Sequence, residues 1–99
     1  MSAQFVLTQS ATKDIDEIAD YIAQQSGFGR AKEFLIGLDA KFEKISKFPN
    51  IGRLRNEVST NVRSFPIDSY LIFYIPTGGG VEILRVVSSY RDIPAMFEN

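Results

Sequence analysis

The stretch that decides the fold is Tyr70-Leu71-Ile72-Phe73-Tyr74-Ile75, followed by Pro76-Thr77-Gly78-Gly79-Gly80 and then by Val81 to Ser88. Two β-rich runs flank a segment whose glycines are free to take positive φ, so the segment reads as an antiparallel hairpin turning over Pro76–Gly80. Upstream, Val62 to Phe65 reads as another strand, ended by Pro66. A sheet covered on one side should alternate apolar and polar residues. Tyr70 to Ile75 does not: both of its faces are apolar or aromatic. Either the loops and the C-terminal tail close over the second face, or a partner chain does, since large uncovered apolar patches mark binding sites.

The residues before the hairpin read as helical. Phe5-Val6-Leu7 is a short strand running into a helix capped by Thr8, whose hydroxyl can take a free N–H of the first turn. Ala11, Ile15, Ile18 and Ile22 then recur at three- and four-residue steps, the period of one buried stripe. Asp14, Asp16, Glu17 and Asp20 fall in the first half, where negative charge suits the helix dipole. Ser26-Gly27-Phe28-Gly29 breaks this helix. A second runs from about Arg30 to Phe48 with the stripe Ala31, Phe34 or Leu35, Leu38, Phe42 and Ile45, and Pro49 ends it. Arg91 to Phe97 could add one turn of helix. The order is β-α-α-β-β-β: an α+β fold with a helical hairpin packed on one face of a small, mostly antiparallel sheet.

Composition narrows the chemistry. The 99 residues suit a single domain spanning 1–99, one that buries only about two-thirds of its unfolded surface. There is no Cys and no His, which removes disulfides, thiolate sites, and the commonest general base and metal ligand. A zinc enzyme or a His-dependent hydrolase is excluded on that ground. No leader and no bilayer-length apolar run is visible, so a cytoplasmic protein without membrane contact is expected. Net charge is −1, but residues 30–63 hold eight basic side chains against four acidic ones. The acids around Asp14-Ile15-Asp16-Glu17 do not match a calcium loop, and Gly78-Gly79-Gly80 lacks the lysine and helix of a phosphate loop.

Chemistry, if any, rests on arginine and tyrosine. Arg53, Arg55 and Arg63 cluster near the first hairpin strand. Arg85 lies inside the last strand among apolar residues, where an unpaired charge is very costly, so Asp92 or Asp68 is expected to pair with it. The alternative is a functional patch of Arg53, Arg55, Arg63 and Arg85 with Tyr74 and Tyr90 nearby. RNA cleavage would need two proton-transfer groups as well as cations. Glu57 or Tyr90 could supply one, but no pair is spaced for the task.

Four short motifs in order carry a resemblance over nearly the whole chain: LTQSATKDIDEIADYI (7–22), FPNIGRLR (48–55), VRSFPIDSYLIFY (62–74) and VEILRVVSSYRD (81–92). Together they resemble the ParE branch of the RelE/ParE toxin superfamily. The resemblance implies a toxin of a type II toxin–antitoxin system that inhibits DNA gyrase by protein–protein binding. It also implies a cognate, ParD-like antitoxin that wraps the toxin in a hetero-oligomer and contacts operator DNA itself, so that the toxin meets DNA only indirectly. Ser88 stands where many relatives have His, and Leu71 where the ribonuclease branch often has Arg; both differences argue against mRNA cleavage. The expected target-binding residues are Arg53, Arg55, Arg63, Arg85, Tyr90 and Arg91, and the expected antitoxin-binding residues are Tyr21, Leu71, Phe73 and Tyr74. No catalytic residue, metal ligand or cofactor is expected. Two alternatives stay open: a ribosome-dependent mRNA endonuclease, and a degenerate, non-toxic homologue that still binds an antitoxin.

Overall fold

The computed structural model describes residues 4–90. Strand β1 (Gln4–Leu7) leads into helices α1 (Gln9–Ser26) and α2 (Phe28–Lys47), and strands β2 (Arg53–Leu54), β3 (Arg63–Ile67), β4 (Tyr70–Thr77) and β5 (Gly80–Ser88) follow. They form one sheet in the order β1-β5-β4-β3-β2. β1 runs parallel to β5 and every other pairing is antiparallel. The expected α+β order therefore stands, with β2 added at the far edge.

Both helices pack on one face of the sheet through the stripes their periodicity marks. Ala11 and Ile18 of α1 meet Phe34, Leu38, Phe42 and Ile45 of α2 over Ile72, Tyr74, Ile83 and Val86, with Ile15 and Ile22 against the edge of this core. Of the two α2 candidates Phe34 points inward, stacking edge-on against Tyr70, while Leu35 is partly exposed. Thr8 caps α1 as expected: its hydroxyl accepts the Ala11 amide at 3.0 Å. The break between the helices is shorter than the four residues expected. Gly27 alone, at φ 90°, reverses the chain, because one residue in a conformation costly for L side chains is enough to end one helix and start the next.

Gly37 tells a different story from Gly27. It sits inside α2, and a Cβ there would lie 3.9 Å from Ile67 Cδ1, an ordinary contact. Gly37→Ala is therefore expected to stabilise the chain by about 0.5–1 kcal/mol through helix propensity. Urea unfolding checks this; a loss of stability would show that α2 packs closer to β3 than described.

The strands depart from expectation in two places. β4 and β5 stay paired to Thr77 and Gly80, so the turn is only Gly78-Gly79, and Pro76 lies within the ladder opposite Val81. Gly80 is needed for a separate reason, since a Cβ on it would collide with the Gln4 carbonyl of β1. Pro66, expected to end a strand over Val62–Phe65, lies inside β3 opposite Leu71. It is tolerated because β2 reaches only Arg63 and Ser64, leaving no strand among the described residues on the outer side of Pro66.

The second face of the sheet accounts for the lack of alternation in β4. Val62, Phe73 and Val87 are buried there, with Val58, Leu71 and Leu84 against them. The 55–62 loop supplies two of these residues, and its backbone is tied down by the Arg55 amide to the Val62 carbonyl at 2.7 Å and the Val58 amide to the Arg55 carbonyl at 2.9 Å. The chain's own loop thus shields this face. The C-terminal segment from Arg91 lies outside the described residues.

Candidate functional site

Arg85 is held in a bidentate ion pair, and its partner is Asp14. Arg85 Nε and Nη2 donate to Asp14 Oδ2 and Oδ1 at 2.7 and 2.9 Å. Asp14 Oδ2 also accepts the Val86 amide at 3.0 Å. Of the two carboxylates expected from sequence, Asp68 sits in the β3–β4 turn at φ 51° and does not pair with Arg85, while Asp92 lies outside the described residues. The pairing depends on an irregularity in β5. Phe73 faces Arg85 and Tyr74 faces Ile83, leaving Leu84 as an unopposed bulge residue. β1 stops at Ile83, and α1 takes over where it ends. The Thr8 hydroxyl donates to the Leu84 carbonyl at 2.8 Å and Asp14 accepts from Val86. Hydrogen bonding to Asp14 pushes the Arg85 pKa further up. Asp14 is not in the first turn of α1, which contains no acid, so its work is this pairing rather than the helix dipole.

The remaining arginines divide. Arg63 Nη1 donates to the carbonyls of Gly52 and Asn50, at 2.8 and 3.3 Å. Arg55 Nε donates to Ser64 Oγ at 2.8 Å, Nη1 pairs with Glu57 at 3.2 Å, and the guanidinium lies 6.0 Å from the centre of the Phe73 ring. Both therefore serve the local structure. Arg53 alone of the three is exposed and has no ion pair among the described residues. Tyr90 is almost wholly exposed, and Arg91 lies outside the described residues. Among the described residues the expected patch thus separates into an internal ion pair, an internal clamp, and Arg53 and Tyr90 in the open.

Tyr74 completes the clamp. Its hydroxyl accepts the Gly52 amide at 2.8 Å and donates to the Pro49 carbonyl at 2.7 Å. It is fully buried, as is Phe73. Neither side chain reaches the surface of the chain, although both were expected at an antitoxin-binding surface. The physical cause is the pleat: Tyr74 enters the helix-side core and Phe73 the opposite core. Of the other two residues expected there, Tyr21 is exposed and Leu71 half-buried.

Burial pushes the Tyr74 pKa above its ordinary 10.0, with the Gly52 hydrogen bond and Arg63 acting the other way. A tyrosine with a raised folded-state pKa stabilises the fold fully below its unfolded value, and that stability fades as pH rises through the folded value. Tyr70 shifts the same way through burial. Stability should thus begin to fall above about pH 10. In Tyr74→Phe the fall should be shallower, from a baseline about 1–2 kcal/mol lower because two backbone groups lose their partner. Denaturant melts from pH 8 to 11 test this; parallel curves for the two proteins would remove Tyr74 from the account.

Proton-transfer chemistry finds little support in this arrangement. Glu57 is held below its usual range by hydrogen bonds from its own backbone and from Arg55, which makes it a poor base. A groove of about 720 Å³ between α1 and the end of β5 is lined by Lys13, Glu17, Tyr21, Tyr70 and the Asp14–Arg85 pair, whose charges already satisfy each other. Among the described residues no three His, Cys, Asp or Glu side chains gather to hold a metal, and no helix is long and apolar enough to cross a membrane. What sequence reasoning missed is the exposed apolar rim beside Arg53, formed by Phe48, Ile51 and Leu54. Its signal was present in FPNIGRLR, where three large apolar residues occur in a short segment after a helix-ending proline.

Comparison with known proteins agrees with this fold and with the motif order. The family model described as ParE toxin of type II toxin–antitoxin system, parDE, matches residues 5–93. Toxin ParE1 of Mycobacterium tuberculosis is 28% identical over 94 residues, 94% of this chain and 96% of that protein. Toxin ParE3 of Caulobacter vibrioides is 24% identical over 90 residues, 91% of this chain and 90% of that protein. In the solved structure of a chromosomal ParDE TA system from P. aeruginosa, one chain superposes with a TM-score of 0.74 at 19% identity, covering 88% of this chain and 96% of that one. With the family model spanning both helices and all five strands, the chain belongs to the ParE toxin family of type II toxin–antitoxin systems.

Proposed function

We propose that the chain acts by binding DNA gyrase and stopping its cycle, without catalysing a reaction, and that a cognate ParD-like antitoxin neutralises it in the cytoplasm. Family membership supplies the toxin role. The observation that carries the mode of action is the state of the cations: Arg55, Arg63 and Arg85 are all committed to internal bonds. A ribonuclease needs several free cations and two proton-transfer groups around one phosphate. Of the arginines expected to act, only Arg53 is both exposed and without an ion pair among the described residues, and Glu57 is a weakened base. A binding surface has no such requirement. It needs rigid, exposed anchors.

A supercoiling assay with purified gyrase and purified chain tests the reading, with primer extension on translated mRNA run alongside. Inhibited supercoiling with intact mRNA is expected, and added antitoxin should restore gyrase. Intact supercoiling together with codon-linked cuts would transfer the chain to the endonuclease reading. Growth unaffected by expression, with antitoxin still bound, would mark a degenerate homologue.

A further inference from the structure

The rim after α2 combines two properties seldom found together: a rigid backbone and large apolar side chains left in solvent. Phe48, Ile51 and Leu54 are 61%, 40% and 43% exposed. The Ile51 amide donates to the Phe48 carbonyl at 3.0 Å, closing a turn that brings those two residues together. Leu54 follows in β2, the edge strand of the sheet, with no strand among the described residues on its outer side. Beneath this surface the backbone is tied to the core at three successive places. Tyr74 holds the Pro49 carbonyl and the Gly52 amide, and Arg63 holds the carbonyls of Asn50 and Gly52. Side chains presented from a fixed backbone lose little freedom on binding, which favours affinity.

The charges beside the rim that lack an ion pair are positive. Lys47 and Arg53 are exposed, and neither has an ion pair among the described residues. The nearby acid Glu57 is turned to Arg55. Phe48 and Arg53 are of residue types enriched at protein interfaces. The exposed apolar residues of the helices, Tyr21, Phe28, Leu35 and Ile36, lie on helix surfaces without the side-chain clamp that holds the rim backbone.

We infer that Phe48, Ile51 and Leu54, with Arg53 and Lys47 beside them, form the surface that grips the toxin's protein target. The complementary patch on that target is an apolar projection flanked by carboxylates. This rests on the reading of the chain as a gyrase binder, and names where on the chain that binding occurs. Each of these side chains is exposed and none belongs to the buried core clusters of the described residues, so changing them should leave the fold intact.

The test uses full-length chain and purified gyrase. Wild type, Ile51→Asp with Arg53→Glu, and the helix control Ile36→Asp are compared by the concentration that halves supercoiling. Circular dichroism and binding to the antitoxin report folding. The rim double variant should inhibit at least tenfold less well while still binding antitoxin, and Ile36→Asp should stay within twofold of wild type. Should the double variant fail to fold, Ile51→Ala and Arg53→Ala separately are each expected to weaken inhibition threefold or more. Folded rim variants that inhibit like wild type would overturn the inference and leave the gyrase reading standing; so would variants that lose only antitoxin binding. Wild type that does not inhibit gyrase would instead defeat the gyrase reading, and this inference with it.

Discussion

Asp14→Ala should be among the most damaging single changes to this chain, costing about 2–4 kcal/mol. It removes both carboxylate acceptors of Arg85 and the acceptor that Asp14 offers the Val86 amide, leaving a guanidinium without its counter-charge in a partly buried place. Breaking a fully buried pair costs roughly 3–5 kcal/mol. The lower range applies because a quarter of the Arg85 side chain still meets solvent. For a domain of this size the melting temperature should fall on the order of 15 °C. The change also frees α1 from the bulge, where Thr8 and Asp14 act in place of the absent continuation of β1. Pairing Asp14→Leu with Arg85→Met should recover more than half of the loss, since an apolar pair avoids the uncompensated charge. Urea melts of the single and double variants decide it. A single-variant cost below about 0.5 kcal/mol, the range of an ordinary surface pair, would mean that the pair does not anchor α1.

The other large effect is expected at Gly52. A Cβ there would lie 2.6 Å from Tyr74 Oη, 2.7 Å from Tyr74 Cε1 and 2.8 Å from the Ser64 carbonyl. None of these can move easily, because Tyr74 is fully buried and Ser64 is in β3 beneath β2. Gly52→Ala should therefore cost about 2–3 kcal/mol by overpacking and loosen the Tyr74 clamp. Tyr74→Phe relieves only part of the clash, since Cε1 and the Ser64 carbonyl remain, so the double variant should stay well below wild type. If Gly52→Ala melts like wild type, the loop does not lie against Tyr74 as described. The contrast with Gly37→Ala, expected to stabilise, isolates close approach from the general effects of glycine.

Much of this fold is legible in single-sequence periodicity because the helices are amphipathic and each stripe has one place to go. Ala11, Ile15, Ile18 and Ile22 could be assigned to a core before any partner was known, and so could the turn between Tyr70 and Ser88. The pairing of Asp14 with Arg85 was not legible. The two residues are 71 positions apart, and they meet only because Leu84 bulges and β1 ends at Leu7. The inward turn of Tyr74 was hidden for a related reason: with both faces of β4 apolar, alternation gives no sign of which residues are buried. Whether Phe73 was covered depended on Val58 and Val62, in a loop with no pattern of its own. The expected target-binding surface was read as charge, through its arginines. Arg63 holds the carbonyls of Asn50 and Gly52 and Arg55 is turned to Ser64 and Glu57, while their apolar neighbours face solvent, a division of labour that residue type alone does not reveal.

Stoichiometry separates a protein that grips from one that catalyses. Gyrase at fixed concentration, titrated with the chain and sampled over time, should lose activity in proportion to the chain added. The loss should be complete near a fixed molar ratio, constant in time, and reversed by antitoxin. Progressive loss at a small fraction of that ratio, persisting after antitoxin is added, would mean turnover and would contradict the account.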